Sequence, residues 1–257
     1  MTPPRIASLV PSITELVVAL GLEEFLVART GFCIHPAEAL RTVPKVGGTK
    51  DVNLTKLRGL APTHVIVNVD ENRRETAEAL REFVPTVIVT HPQSPVDNLG
   101  LIEQMREHFG ALPGVAQRCD ELGGEFQATL ARCRGQAWPS QRVLYLIWRE
   151  PWMTVARDTY IARMLAEIGW QTWPDAEGGE TGAARYPALS GDEPWLAQID
   201  RVLLSSEPYR FSEQHLDLAQ ALCPQASVAL VDGELLSWYG PRAAVGLDYL
   251  RKLADGA

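Results

Sequence analysis

The stretch THVIVNVDENRRETAEALREFVPTVIVT, residues 63–90, decides the fold class. It holds two short apolar runs, 64–69 and 86–90, of the length and composition that are typical of buried strands. The charged segment between them, residues 71–82, predicts a helix. A strand, a helix and a second strand in this order indicate a parallel β-α-β unit, so we predict an α/β fold.

Toward the N-terminus, the pattern continues with a predicted strand over residues 6–10 and a helix after it. Ser12 and Glu15 have the spacing of a capping box, in which each side chain satisfies a free amide of the first helical turn. Asn53 is predicted to cap a further short helix over residues 54–60.

Residues 115–134 predict one long helix, because the only weak points are two adjacent glycines. The α/β pattern restarts after it and echoes the first half: Ser190 repeats the cap of Asn53, and a strand at Arg201 repeats the strand at His64, each 137 positions later. Such an internal repeat indicates two similar units. We therefore predict two Rossmann-like lobes with parallel sheets: an N-terminal lobe (1–112), a backbone helix (113–135) and a C-terminal lobe (136–257).

Composition narrows the classes of function. The 24 basic and 32 acidic residues give a formal net charge of −8, and no Lys/Arg-rich run is present, so nucleic acid is not expected as a partner. No stretch approaches the roughly 20 apolar residues that a membrane span needs. We expect a monomer.

The start of the chain and its cysteines bear on localisation. The N-terminus lacks the apolar region and cleavage site of a signal peptide, which predicts a cytoplasmic protein for the chain as it stands and a periplasmic one if a leader has been removed. We expect four reduced thiols, which also favours the cytosol; they are Cys33, Cys119, Cys133 and Cys223.

Aromatic residues cluster after two predicted strands. Trp238 and Tyr239 follow the strand over 228–231, and Trp148 and Trp152 follow the strand that begins at residue 142. Open α/β sheets bind ligands at the carboxyl ends of their strands, and large rings offer flat apolar area there. For Trp238, packing in the core beneath the following helix is an equally good interpretation.

Cys33 and His35 have side chains that bind Zn²⁺. No second pair follows at zinc-finger spacing, so a half-buried thiol and an ordinary histidine are the preferred interpretation. A metal-dependent enzyme that uses both residues remains the alternative from a different class.

Five segments, 5–21, 46–54, 62–68, 148–159 and 231–242, together resemble the cobalamin-binding class III substrate-binding proteins of ABC importers, also called helical-backbone metal receptors. The resemblance implies two α/β lobes bridged by one rigid helix, a ligand held between the lobes, no catalysis and no intrinsic cofactor. The implied ligand is cobalamin or another corrinoid, and the implied partners are the permease subunits of an importer.

Carried onto this sequence, the resemblance and the aromatic loops predict a set of ligand-binding residues: Pro11, Ser12, Phe32, Gly48, Thr49, Asn68, Trp148, Trp152, Tyr186, Trp238, Tyr239 and Arg242. Docking to an importer is implied for exposed acidic residues, namely Asp192, Glu71 and Glu75.

The leading hypothesis is therefore a non-catalytic protein that captures cobalamin or a related metal chelate, either for an ABC importer or as a cytosolic relative. A ferric-siderophore or haem binder is the alternative within binding proteins. Anionic siderophores favour several arginines at the site, and only Arg149 and Arg242 are candidates here.

Overall fold

The computed structural model describes residues 2–256 of the chain. In chain order the strands and α-helices are β1 (Ile6–Ser8), α1 (Pro11–Ala19), β2 (Leu26–Arg29), α2 (Leu54–Gly59), β3 (His64–Asn68), α3 (Arg74–Leu80), β4 (Thr86–Thr90), α4 (Asp97–Phe109), α5 (Val115–Arg134), β5 (Gln141–Leu146), α6 (Tyr160–Ala166), β6 (Trp170–Thr172), β7 (Arg201–Ser205), α7 (Leu216–Leu222), β8 (Ser227–Val231), α8 (Gly233–Ser237) and α9 (Pro241–Asp255).

The first sheet has the strand order β2-β1-β3-β4, and every neighbouring pair is parallel. The stretch that predicted the fold class forms its β3-α3-β4 unit, with His64 opposite Thr86 and Asn68 opposite Thr90. Val65 and Val67 of β3 are buried against Leu57 of α2. All four strands therefore end at the same edge of the sheet.

The second sheet has the order β6-β5-β7-β8 and is also parallel throughout. Taken in chain order, its strands are arranged as those of the first sheet are, so the internal repeat seen in the sequence is a repeat of topology. The prediction of two α/β halves with parallel sheets is confirmed.

The chain divides into two compact units. The first comprises the residues up to Pro92, Asn98–Gly124 and Tyr239–Pro241, and the second comprises Gln93–Asp97, Glu125–Trp238 and the residues from Arg242 onward. The division falls inside α5, so the predicted boundaries at residues 112 and 135 remain a prediction.

Helix α5 is continuous over 20 residues, which corresponds to about 30 Å at 1.5 Å per residue. Gly124 does not break it, and the space around that glycine is open. One side of the helix is buried at helical spacing, through Val115, Cys119, Phe126, Leu130 and Cys133.

Two predicted helix starts are wrong. Helix α1 begins at Pro11 after Val10, and no side chain caps it; proline is suited to a first turn because that turn needs no amide donor there. The predicted capping box of Ser12 and Glu15 is thus not formed. Helix α3 begins only at Arg74, not at residue 71.

The cap at Asn53 is confirmed, since its Oδ1 accepts a hydrogen bond from Lys56 N at 2.8 Å. Its counterpart at Ser190 is not a cap: Ser190 N donates to Glu193 Oε1 at 2.6 Å, and a single 3₁₀ turn follows Glu193.

None of the helices within residues 2–256 combines the length and the apolar character that crossing a bilayer requires.

Candidate functional site

The most exposed aromatic ring of the second unit belongs to Trp148, just after β5. Its side chain is 41% exposed, and its ring lies edge-on to Tyr209, with centroids 5.5 Å apart and planes at 72°. Tyr209 follows β7, and its amide donates to Ile147 O at 3.3 Å. Because β5 and β7 are parallel neighbours, both rings lie at the carboxyl edge of the second sheet.

Two further aromatic rings continue the contacts of this pair. Phe211 is buried and lies 4.7 Å from Tyr209, and Trp152 stacks on Phe211 at 6.0 Å with planes 12° apart. Trp148, Trp152, Tyr209 and Phe211 are hereafter the aromatic cluster. They form a continuous set of ring contacts with one exposed end at Trp148.

His215 fixes the hydroxyl of Tyr209. Ser212 N donates to His215 Nδ1 at 3.0 Å, and His215 Nε2 lies 3.2 Å from the Tyr209 hydroxyl oxygen. The imidazole and the hydroxyl are therefore hydrogen-bonded to each other, which holds the Tyr209 ring in place.

The loop after β5 is closed by backbone hydrogen bonds. Ile147 N donates to Met153 O at 2.9 Å and Met153 N to Trp148 O at 3.0 Å. Thr154 N donates to Pro187 O at 3.0 Å, which attaches the segment carrying the predicted residue Tyr186 to the same loop. Tyr186 itself is half-buried.

Trp238 lies in a polar setting although its ring is only 8% exposed. Its Nε1 donates to Glu207 Oε1 at 2.8 Å, and the same oxygen accepts from Ser237 Oγ at 2.6 Å. The guanidinium of Arg242 lies 4.5 Å above the Trp238 ring and forms an ion pair with Glu234.

Burial and the two acidic neighbours Glu234 and Asp232 raise the pKa of the Glu207 carboxyl, with burial the larger cause. The two hydrogen bonds that it accepts from Trp238 and Ser237 act in the opposite direction. Trp238 is thus largely buried with its indole N–H bonded, and its assignment as a ligand-binding residue stays a prediction.

Tyr239 is buried, with 6% exposure, and belongs to the first unit. The next residue, Gly240, donates from its amide to Asn98 Oδ1 at 2.7 Å. Neither Trp238 nor Tyr239 therefore presents a broad ring face to solvent.

In the first unit, Phe32 is 63% exposed, more than any other large apolar side chain among residues 2–256. Its loop is held by Gly31 N, which donates to Gly47 O at 2.7 Å. A Cβ on Gly48 would lie 3.3 Å from Phe32 Cε2, so the ring rests against the Gly48 backbone. The predicted residues Phe32 and Gly48 are thus neighbours.

Two other predicted residues of the first unit, Asn68 and Thr49, already form hydrogen bonds within the protein. Asn68 is 1% exposed, and its Oδ1 accepts from Asp70 N at 2.8 Å. Asn72 Nδ2 donates to the carbonyl of Thr49 at 2.9 Å. These bonds shape the turn after β3 and explain why α3 begins late.

Ser12 and Pro11 lie in the first turn of α1. Within the described part of the chain, Ser12 Oγ is buried and has no hydrogen-bond partner.

Cys33 is buried, and its Sγ lies 3.1 Å from Thr30 Oγ1. Burial is the main cause that raises the pKa of this thiol, whereas a metal ligand or nucleophile needs the thiolate. Among residues 2–256, no three His, Cys, Asp or Glu side chains come together in a way that could hold a metal ion.

The acidic residues predicted for docking differ in exposure. Asp192 and Glu75 are exposed, and Glu71 is half-buried. Asp192 accepts a hydrogen bond from Ser190 Oγ. Arg74, beside Glu75, is paired with Glu78 at 2.8 Å.

A twice-repeated parallel sheet with aromatic side chains at a carboxyl edge defines a ligand-binding protein of the α/β class. The sequence model of the family described as "Periplasmic binding protein" matches residues 6–206, and the chain belongs to that family. Members bind substrates for ABC importers and are not catalysts, so this protein is not an enzyme.

Similar proteins carry more specific names. A vitamin B12-binding protein of Vibrio vulnificus is 25% identical over 82% of this chain and 71% of its own length. An uncharacterised ABC-transporter substrate-binding lipoprotein of Bacillus subtilis is also 25% identical, over 80% of this chain and 62% of its own.

Two solved structures share the fold, each covering nearly all of both chains. The periplasmic vitamin B12-binding protein of Vibrio cholerae superposes with a TM-score of 0.81 at 22% identity, covering 99% of each chain. The periplasmic haem-binding protein of the same organism gives 0.78 at 21%, covering 98% of this chain and 99% of its own. They confirm the predicted two-lobe fold of class III substrate-binding proteins.

The predicted cytoplasmic localisation is wrong, because the family consists of periplasmic and other extracytoplasmic binding proteins. The hypothesis of a cytosolic relative is wrong for the same reason. The argument from cysteines failed for a physical reason. All four are free and buried, and burial raises the pKa of Cys133 and Cys223 to about 11. Protonated core thiols of this kind behave as small apolar residues in any compartment.

Sequence reasoning missed Tyr209, His215 and Glu207. The signal that could have found Glu207 and Tyr209 is the segment Ser206-Glu207-Pro208-Tyr209, which directly follows the buried strand β7, as the segment containing Trp148 follows β5. No comparable signal marks His215.

Proposed function

We propose that this protein binds a corrinoid, either cobalamin or cobinamide, through the aromatic cluster of its second unit, and delivers it to an ABC importer. The family supports a binding protein of the vitamin B12, haem or siderophore type. The names of the relatives favour vitamin B12 among these ligands.

The observation that carries the proposal is the exposed ring of Trp148, fixed against Tyr209 and supported by Phe211 and Trp152. A corrinoid is a broad ring system with a largely apolar face, and rigid aromatic side chains bind such faces without losing much conformational freedom. The closed backbone of the loop after β5 keeps Trp148 in place before the ligand arrives.

The two arginines that are candidates for contacts with an anionic siderophore are both paired with carboxylates. Arg149 lies 3.3 Å from Glu150, and Arg242 is paired with Glu234. Each cation is thus already neutralised by a carboxylate, so neither is a strong site for an anionic siderophore.

For delivery, we propose that Asp192 and Glu75 meet cationic residues of the permease subunits. Both side chains are exposed, and complementary surface charge accelerates and orients protein association.

The test is a titration of the wild-type protein with aquocobalamin, dicyanocobinamide, haemin and a ferric catecholate siderophore, followed by absorbance and calorimetry. We expect saturable one-to-one binding of a corrinoid, with haemin and the siderophore binding at least about tenfold more weakly. Tight binding of haemin or the siderophore with no corrinoid binding would refute the proposal.

A further inference from the structure

The connection after β7 carries a carboxyl group two residues before the cluster residue Tyr209. Glu207 lies two residues before Tyr209, so at most about 7 Å of extended chain separates their Cα atoms. The side chain is half-buried, and it lies at the carboxyl edge of the second sheet, where the exposed ring of Trp148 also lies.

The backbone of Glu207 is tied to the core. Ser205 Oγ donates to Glu207 O at 2.6 Å and accepts from the buried Tyr145 hydroxyl at 3.0 Å. Gly233 leaves room for the side chain, since a Cβ there would lie 2.8 Å from Glu207 Cγ. The carboxyl is therefore positioned by the fold rather than free to swing into solvent.

The partners of the carboxyl are neutral. Oε1 accepts from Ser237 Oγ and Trp238 Nε1, and within residues 2–256 no lysine or arginine forms an ion pair with Glu207. The nearby arginine, Arg242, is engaged with Glu234 and with the ring of Trp238.

We infer that Glu207 selects the periphery of the bound chelate: it favours ligands whose side chains end in amides and disfavours those whose side chains end in carboxylates. The inference rests on the proposed function. A carboxylate oxygen accepts a hydrogen bond from an amide N–H, whereas a ligand carboxylate brought close to it adds a like charge with no cation between them. Corrinoids with amide side chains satisfy this condition, and haem propionates do not.

Burial is the main cause that raises the pKa of the Glu207 carboxyl, and the acidic residues Glu234 and Asp232 at the start of α8 raise it further. Arg242 of α9 is neutralised by Glu234, and Tyr145 of β5 stays protonated because burial raises its pKa. The discrimination is thus present when Glu207 is ionised and declines as the pH falls through its raised pKa.

The experiment compares two corrinoids with the same metal and ring, dicyanocobinamide, which carries amides, and dicyanocobyrinic acid, which carries carboxylates. Dissociation constants are measured by calorimetry at pH 8 for wild type, Glu207→Gln and Glu213→Gln. Glu213 is an exposed carboxylate of the same unit, two residues beyond Phe211, so its variant removes the same charge from the same part of the unit without removing the carboxyl that is held by Ser237 and Trp238.

We expect wild type and Glu213→Gln to prefer the amide ligand, and Glu207→Gln to reduce that preference by about tenfold or more, mainly through tighter binding of cobyrinic acid. In wild type the preference for the amide ligand should shrink between pH 8 and pH 5.5. It should shrink less in Glu207→Gln, because in that variant the pH dependence reports only the titration of the ligand. This second measurement needs only the wild-type fold.

An unchanged preference in Glu207→Gln, an equal effect in Glu213→Gln, or a wild-type preference for the acid would each overturn the inference while leaving corrinoid binding intact. If wild type binds neither corrinoid, the proposed function fails and the inference falls with it.

Discussion

Replacing Gly246 with alanine should destabilise the protein through one contact between two helices. Gly246 is a buried residue in the middle of α9. A Cβ at this position would lie 2.0 Å from Leu235 O of α8 and 2.8 Å from Met164 Cε of α6. The methionine can rotate away, but the carbonyl is backbone, so α8 and α9 must separate.

The magnitude follows from two opposing effects. Alanine in a helix interior is favoured over glycine by about 1 kcal/mol. Overpacking a well-packed core costs about 1–3 kcal/mol and sometimes more, and a clash with backbone belongs at or above the upper end. We therefore expect Gly246→Ala to lower the free energy of unfolding by about 2 kcal/mol.

Gly124→Ala is the matched control. Gly124 also lies inside a long helix, but nothing within 4 Å would meet its Cβ. Only the higher helix propensity of alanine then acts, so we expect the free energy of unfolding to rise by about 1 kcal/mol. Urea unfolding followed by circular dichroism measures both variants against wild type. If Gly246→Ala proved as stable as Gly124→Ala, the close packing of α9 on α8 would be refuted.

Two further predictions concern the first turn of α2 and the amino edge of the second sheet. Asn53→Ala should lower the free energy of unfolding by about 1 kcal/mol because Lys56 N loses its acceptor, whereas Asn53→Asp should retain most of it; equal losses in both would contradict the cap. Arg142 donates hydrogen bonds to Asp200 and lowers the pKa of that carboxyl. The pair therefore stabilises the folded protein above the ordinary aspartate pKa of about 3.9. This stabilisation is lost as the pH falls through the pKa that Asp200 has in the folded protein. The melting temperature of Asp200→Asn should therefore lie below that of wild type at pH 7 and converge with it near pH 2; a difference that is the same at both pH values would contradict this.

The fold was predictable because its strands consist of short runs of mostly apolar residues. Residues 65–68 are buried in a central strand of a parallel sheet, and such strands are nearly uniformly apolar; the edge strand 86–90 keeps an apolar run although Val89 is exposed. The long helix α5 was predictable because residues 115–134 hold no break other than two adjacent glycines. The start of α3 was not, because it depends on the hydrogen bonds of Asn68 and Asn72 with their own turn.

The candidate site was less predictable, because it is assembled by tertiary contacts. Trp148 stands out in the sequence, but its partner Tyr209 is 61 positions away and meets it only because β5 and β7 are neighbours in the sheet. Trp238 looked equally suited to a ligand and to the core. The hydrogen bond of its indole N–H with Glu207, a residue distant in sequence, is a tertiary contact that no local pattern indicates.

Corrinoid binding through the aromatic cluster is tested most directly by the affinity of the Trp148→Ala variant. Calorimetric titration with dicyanocobinamide compares it with wild type and with Leu218→Ala, which removes a side chain of the same unit with nearly the same exposure, 42% against 41%. We expect Trp148→Ala to weaken binding by about 1–3 kcal/mol, or roughly 5- to 150-fold, and Leu218→Ala to leave it unchanged. Equal affinities in all three proteins would contradict the assignment of the ligand to this cluster.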